Sequence, residues 1–552
     1  MRYFKFSVIV LQTIIWFLHP YKAECQLSVG GEPPSFFFGL PRDLTRKIEV
    51  SPPDLTLTRQ EDMINPSPYR FGILLPVNVS PDYSGNWTTL PDGVQIWRAT
   101  VSSPGALAIS AYFDKFYIPD GGKLFIYNSD KTQVIGAFTP LNNSKNSLFA
   151  TELISGDEMT LEYVQPAGSN QVPPLHLNEI TYAYRGVDFL NKNYNRGVTG
   201  SCEVNVNCPE GDDWQDQKRG VVRIHLKRDG GTFWCTGSLV NNTSNDNTPY
   251  ILTANHCGYN STEQELQQWI FYFNYESPEC VTTGIKNPIS LIGATLKAHS
   301  GDQLTIGSDF YLVRMNENIP DSFHVYYNGW SRSEDYPSPS GVGIHHPGGG
   351  LKKISTYTQA LESSSWMGNP GLTHWKVFWV QTVSGHGVTE GGSSGSPLFD
   401  NQGHIVGGLS GGESACDSIH INLADYYGKF AWAWSSDGHD STSQLKGWLD
   451  PDSTNVYVLD GHYADSLIPV IPPLQSIYPN PFKDFITISL KNVKKGVHVM
   501  VYDIPGQLLL NDNYQMNGNG NFQINLDFLP KGLYLIRIES QETTICSKII
   551  RQ

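Results

Sequence analysis

Charge is scarce in this sequence. Asp, Glu, Lys and Arg make up 16% of the 552 residues, against roughly 25% in an average soluble protein. Only 38 residues are basic against 53 acidic, for a formal net charge of -15. That balance excludes nucleic acid as the main partner, because binding phosphate needs clustered Lys and Arg. Beyond the first 25 residues no stretch approaches the roughly 18 consecutive apolar residues that a membrane-spanning helix requires. Cysteine is sparse, eight in all, and the absence of paired Cys-x-x-Cys spacing argues against a zinc site. What is abundant is glycine (52), proline (35) and aromatics (12%), the composition of a turn-rich, β-dominated protein. At about 150 residues per domain, the length suggests three to four folding units.

The N-terminus sets the compartment. Arg2 and Lys5 precede a largely apolar run from Phe6 to Leu18, and Ala23-Glu24-Cys25 follows. This is the order of a signal peptide over residues 1–25. Export permits disulfides, so the remaining cysteines are candidates for pairing. Residues 26–196 hold short alternating segments separated by turns such as Pro119-Asp120-Gly121-Gly122, and read as a β-sandwich-like domain without evident chemistry. Residues 197–463 contain six cysteines and dense Gly and Ser. Residues 464–473 form a proline-rich linker, and 474–552 carry alternating strands that suggest a small β-sandwich.

Chemistry is sought in the middle region. Gly392-Ser393-Ser394-Gly395-Ser396-Pro397 is a Gly-flanked serine in a tight turn that feeds strands. A serine hydroxyl is a poor nucleophile unless a base takes its proton and donors stabilise the oxyanion. Tyr250-Ile251-Leu252-Thr253-Ala254-Asn255-His256-Cys257 places a histidine just past a β-rich run, and Ser308-Asp309 opens a second strand, Phe310 to Met315. An aspartate there supplies the acid that holds an imidazole in one tautomer. Taken alone, the serine turn reads equally well as a surface loop; three such contexts together are specific. The adjacent His345 and His346, on a strand, point to opposite faces and read as structural rather than as a metal pair.

The order His256, Asp309, Ser394 is that of chymotrypsin-like peptidases, and the sequence resembles the lysyl endopeptidase family of secreted bacterial serine proteases. Gly197-Val198-Thr199-Gly200-Ser201-Cys202, Cys208-Pro209-Glu210-Gly211, Cys235-Thr236-Gly237-Ser238, Ile344-His345-His346-Pro347 and Trp448-Leu449-Asp450-Pro451 carry the resemblance beside the histidine and serine segments. It implies an all-β, chymotrypsin-like double β-barrel over 197–463, flanked by the N-terminal β-sandwich-like propeptide and the small C-terminal sandwich. It also implies His256 as general base, Asp309 as its orienting partner and Ser394 as nucleophile, with the Gly392 and Ser394 amides as oxyanion hole. The implied disulfides are Cys202–Cys416, Cys208–Cys280 and Cys235–Cys257; spacing alone leaves 15 connectivities open. No cofactor or metal is implied, and a monomer is expected.

Specificity and processing follow from the same resemblance. Trypsin carries its pocket carboxylate about six residues before the nucleophile, where this chain has Val388. The family instead uses an aspartate after the serine, matched here by Asp425, which would neutralise a Lys or Arg at P1, the residue before the cut bond. Trp366 matches the family's pocket indole. Its partner histidine is replaced by Ser410, so stacking support for the indole is expected to be lost and lysine preference weakened. The family's mature enzyme begins at the glycine matching Gly197. Arg196 precedes it and is itself a basic P1 residue, so self-removal of 26–196 is expected, with that propeptide as a folding aid and inhibitor.

Ile477-Tyr478-Pro479-Asn480-Pro481-Phe482, Leu529-Pro530-Lys531-Gly532-Leu533-Tyr534 and Lys548-Ile549-Ile550-Arg551-Gln552 resemble the type IX secretion sorting domain of Bacteroidetes-type bacteria. The resemblance implies passage to the outside or outer-membrane surface of a Gram-negative cell by that machinery. The implied partners are peptide substrates with Lys or Arg at P1, the chain's own propeptide and the secretion apparatus. The rival reading is a cell-surface binding protein or adhesin that keeps a protease-like fold.

Overall fold

The computed structural model describes residues 28–41, 45–65, 67–169, 171–187, 200–282, 289–301, 307–335, 337–435, 437–438, 440–464, 474–490, 497–503, 508–515, 521–539 and 544–552. The signal-peptide segment, Arg196 and Gly197, and all of the linker but Ala464 lie outside them. The chain is overwhelmingly β, as its composition suggests.

The N-terminal region packs two sheets face to face. One contains Arg46–Glu49, Gln95–Ser102, Glu158–Gln165, Lys123–Asn128 and Val134–Phe138; the other begins with Tyr69–Val79, Leu175–Ala183 and Ala108–Phe116. Ile109, Phe113, Phe138, Leu161 and Leu177 fill the space between them. This sandwich does not stand apart from the middle region. Its strand Tyr69–Val79 also pairs with Gly231–Val240, so one twelve-stranded sheet runs from the N-terminal domain into the next.

The middle region has two β halves. In the first, the order is Ile289–Ile292, Ile270–Phe273, Val221–Arg228, Gly231–Val240, Tyr250–Ala254, Phe310–Met315 and Ala294–His299. The sheet curls until its two end strands are sequence neighbours through Gly293, yet no ladder joins them. The second half orders Val204–Asn205, Lys353–Tyr357, Gly341–His345, Pro397–Asp400, Ile405–Gly412, Asp425–Lys429, His374–Val377 and Glu362–Ser364. Among the described residues both halves are curved β sheets in which no ladder closes the ring. Phe310, Leu312, Trp330, Ile344, Phe399, Ile405 and Phe430 form a core shared by the two halves, which fixes their relative position. The C-terminal region pairs a three-stranded with a four-stranded sheet around Ile486, Val499, Ile524 and Ile536.

Candidate active site

Strand register brings the candidate base and acid together. Tyr250–Ala254 pairs antiparallel with Phe310–Met315, with Ala254 opposite Phe310. His256 lies just past the end of the first strand, in the short helix Asn255–Gly258, and Asp309 immediately precedes the second. Asp309 Oδ2 stands 2.8 Å from His256 Nδ1, while Oδ1 accepts the His256 amide at 2.9 Å. A carboxylate held at both oxygens fixes the ring's orientation and places the proton on Nδ1, leaving Nε2 as the basic nitrogen. Asp309 adopts φ 57°, a left-handed conformation that a non-glycine residue keeps only when its surroundings enforce it. The Asn255 amide donates to its carbonyl at 2.7 Å, and Ser308 before it is bonded by Asp437 through both its amide, at 2.9 Å, and its hydroxyl.

The serine arrives from the second half on the turn that precedes Pro397–Asp400. The Thr236 amide donates to the Ser394 carbonyl at 2.8 Å and the Thr236 hydroxyl to the Gly392 carbonyl at 2.9 Å. Thr236 neighbours Cys235, whose disulfide to Cys257 ties this edge to the histidine segment. Gly392 has φ 97°, and a Cβ there would lie 2.8 Å from the Gly349 nitrogen, so only glycine fits. Among the described residues neither the Gly392 nor the Ser394 amide donates to a backbone carbonyl. Ser394 Oγ contacts Ser67 Oγ of the N-terminal domain at 3.3 Å, and His256 Nε2 has no hydrogen-bond partner among the described residues.

Asp425 is buried on the strand that pairs with Ile405–Gly412, with its partner at Gly412. Its Oδ2 accepts from Trp379 Nε1 (2.6 Å), the Thr389 hydroxyl (2.8 Å) and the Ser414 hydroxyl (2.7 Å), whereas among the described residues Oδ1 takes the Ser414 amide alone, at 3.2 Å. Burial pushes this carboxyl up, and the hydroxyl and indole donors pull it back. A Cβ at Gly412 would sit 1.9 Å from Oδ1, so any larger residue there would collide with the carboxyl. Trp366 lies against Gly411 on the same ribbon. With Ser410 on this ribbon, the indole still has aromatic neighbours. Tyr426 lies 4.8 Å from it, and His374, on an adjoining strand, lies 6.5 Å away with Nε2 2.9 Å from Ser410 Oγ. A serine at 410 leaves room for an imidazole from elsewhere in the sheet.

His345 and His346 are both fully buried. His345 bonds Ser393 and Ser355, steadying the residue before Ser394, and His346 Nδ1 donates to the Gly350 carbonyl. Glu203, Glu390 and Cys416 lie within 4.8 Å of one another, but Cys416 is joined to Cys202 and offers no thiolate. The third disulfide is Cys208–Cys280.

Comparisons with known proteins agree with the motifs. The family model described as lysyl endopeptidase, C-terminal domain, matches residues 196–428, and that of the secretion system C-terminal sorting domain matches 476–552. A lysyl endopeptidase of Pseudomonas aeruginosa is 27% identical over 366 residues, 63% of this chain and 76% of the relative. Secreted RxLR effector protein 73 of Plasmopara viticola is 23% identical over 341 residues, 59% of this chain and 79% of the relative. The structure of Glu endopeptidase in complex with MPD aligns with a TM-score of 0.28 and 17% identity, covering 42% of this chain and 93% of that one. Residues 196–428 thus match the lysyl endopeptidase domain and 476–552 the sorting domain, and the protein is secreted or displayed at the cell surface.

Proposed function

We propose that this member of the lysyl endopeptidase family is a serine endopeptidase that cuts after Lys, with Arg also accepted, using Ser394, His256 and Asp309. His256 Nε2 takes the Ser394 proton as Oγ attacks the scissile carbonyl, and the Gly392 and Ser394 amides receive the oxyanion. The imidazolium then protonates the leaving amine, the acyl-enzyme remains on Ser394, and water activated by the same nitrogen releases the acid. Asp309 orients the ring and stabilises the imidazolium.

The P1 cation pairs with Asp425. The observation that carries this reading is the asymmetry of that carboxylate: three strong donors occupy Oδ2, while Oδ1 lies against Gly412, where a Cβ would collide with it. Among the described residues no basic side chain pairs with this carboxyl, and a Lys or Arg at P1 would supply the counter-charge. Arg196 before Gly197 fits the same preference as a processing site, with 26–196 removed as propeptide, 197–463 as the enzyme and 474–552 read by the secretion machinery.

A peptide panel varying only P1 tests this. The secreted, processed protein is expected to favour Lys over Arg, and both over Ala or Glu, in kcat/KM. Equal rates across the panel, or preference for Glu, would overturn it.

A further inference from the structure

One stretch of the chain already lies in the cleft in extended form. Tyr69–Val79 runs antiparallel to Gly231–Val240, with Trp234 opposite Tyr69, Phe233 opposite Arg70, Thr232 opposite Gly72 and Gly231 opposite Ile73. The register shifts between the second and third of these pairs, so Phe71 is the extra residue of a bulge, a feature that re-aims a side chain. Traced back from Tyr69, the chain passes Pro68 and puts the Ser67 hydroxyl 3.3 Å from Ser394 Oγ. Counted from Ser67 at the nucleophile, Phe71 is the fourth residue toward the C-terminus, on the side of a substrate that departs with the leaving amine. That position is P4′ in the numbering that puts P1 before the cut bond.

Phe71 is fully buried, and its ring stacks on Trp234 with centroids 4.3 Å apart and planes 16° from parallel. His225 meets the same ring edge-on at 4.9 Å. Trp234 and His225 belong to the middle region, and so do the groups that hold them. Gly349 packs so close to the indole that a Cβ there would stand 2.4 Å from it. The Arg223 guanidinium lies 4.4 Å from the indole and 4.1 Å from the Tyr272 ring, and donates to the Gly349 carbonyl at 2.8 Å. Trp234 Nε1 donates to the Gly186 carbonyl at 3.1 Å, so the indole also grips the backbone of what covers it. The walls of this site therefore lie within 197–463, and the ring that fills it comes from 26–196.

We propose that the processed enzyme uses Trp234 and His225 as a subsite for an aromatic side chain at P4′, so that substrates are selected four residues past the cut bond as well as at P1. The inference rests on Ser394 as nucleophile and on loss of 26–196, which takes Phe71 away and leaves the site to substrate. An extended substrate pairs with the edge Gly231–Trp234 through backbone groups that every sequence has. A pocket for one side chain is what makes such strand addition selective. A stacked ring adds interaction beyond the area it buries. Because the leaving segment is still attached in the transition state for acylation, that interaction appears in kcat/KM. Deacylation, which follows departure of the segment, is untouched.

Peptides with Lys at P1 and a fixed sequence through P3′, differing only in Phe or Ala at P4′, test this on the processed secreted protein. The Phe peptide should exceed the Ala peptide by about 10-fold in kcat/KM, the scale of one buried aromatic stack. Moving Phe to P3′ or P5′ should forfeit the gain, and Trp234→Leu should bring the two peptides together. Equal kcat/KM for the two peptides in the wild type, or a difference that survives Trp234→Leu, overturns the subsite and leaves the P1 reading standing. Should the variant not be secreted, the wild-type panel alone decides. Cleavage of neither peptide sinks the reading of Ser394 and Asp425, and this inference with it.

Discussion

Asp437 binds Ser308 at two points, accepting its amide through Oδ1 at 2.9 Å and its hydroxyl through Oδ2. Ser308 is the residue before Asp309, and Asp309 sits at φ 57°, so Asp437 acts on the orientation of the proposed Asp309–His256 pair. Burial pushes the Asp437 carboxyl up to about 7. Asp437→Ala should lower kcat by up to about 100-fold, the cost of displacing a catalytic group by an ångström, with KM little changed. Steady-state kinetics check this; unchanged kcat would assign Asp437 no part in positioning.

Gly412 is the residue whose side chain would obstruct Asp425. Gly412→Ala should depress kcat/KM for Lys at P1, and Asp425→Asn should do the same by about 3–5 kcal/mol of transition-state binding, since each removes a buried charge pairing. Neither should slow acylation by a small P1 residue comparably. The ratio of the two substrates' kcat/KM values for each variant is the readout.

Buried histidines, His225, His345 and His374 among them, contribute to the response to acid. Burial lowers His225 and His345 to about 3 and His374 to about 4. Their folded values lie below the unfolded value of about 6.5, so the unfolded chain binds protons that the native state refuses. The stability this represents is fully present above about pH 6.5 and is lost progressively as pH falls toward 3 to 4. Near pH 5 each histidine contributes a slope of about 1.4 kcal/mol per pH unit. Denaturant titrations of His345→Gln at pH 7 and pH 5 should show a smaller loss on acidification than the wild type shows.

The candidate triad was legible because each member lies in a short segment with its own local logic: a strand ending at His256, a strand opening at Asp309, a glycine-rich turn at Ser394. The disulfides needed family resemblance, since six cysteines at scattered spacing do not announce their partners. Asp437 was missed because a lone aspartate in Ser435-Ser436-Asp437-Gly438 looks like any solvated turn. His374 was missed because it reaches Ser410 across a sheet from 36 residues away. Least legible of all was the pairing of Tyr69–Val79 with Gly231–Val240. Edge strands join through backbone groups that every sequence possesses, so nothing local to either strand signals the other. The N-terminal sandwich shares a sheet with the middle region through this pairing.

The central claim is that Ser394 is a nucleophile poised beside a site for a basic side chain. The most direct test treats the processed secreted protein with a peptidyl phosphonate bearing Lys at P1 and locates the adduct by mass spectrometry. The account predicts a single adduct on Ser394, lost in Ser394→Ala and strongly slowed in Asp425→Asn. No adduct, or equally rapid labelling by the same phosphonate with Glu at P1, would contradict it.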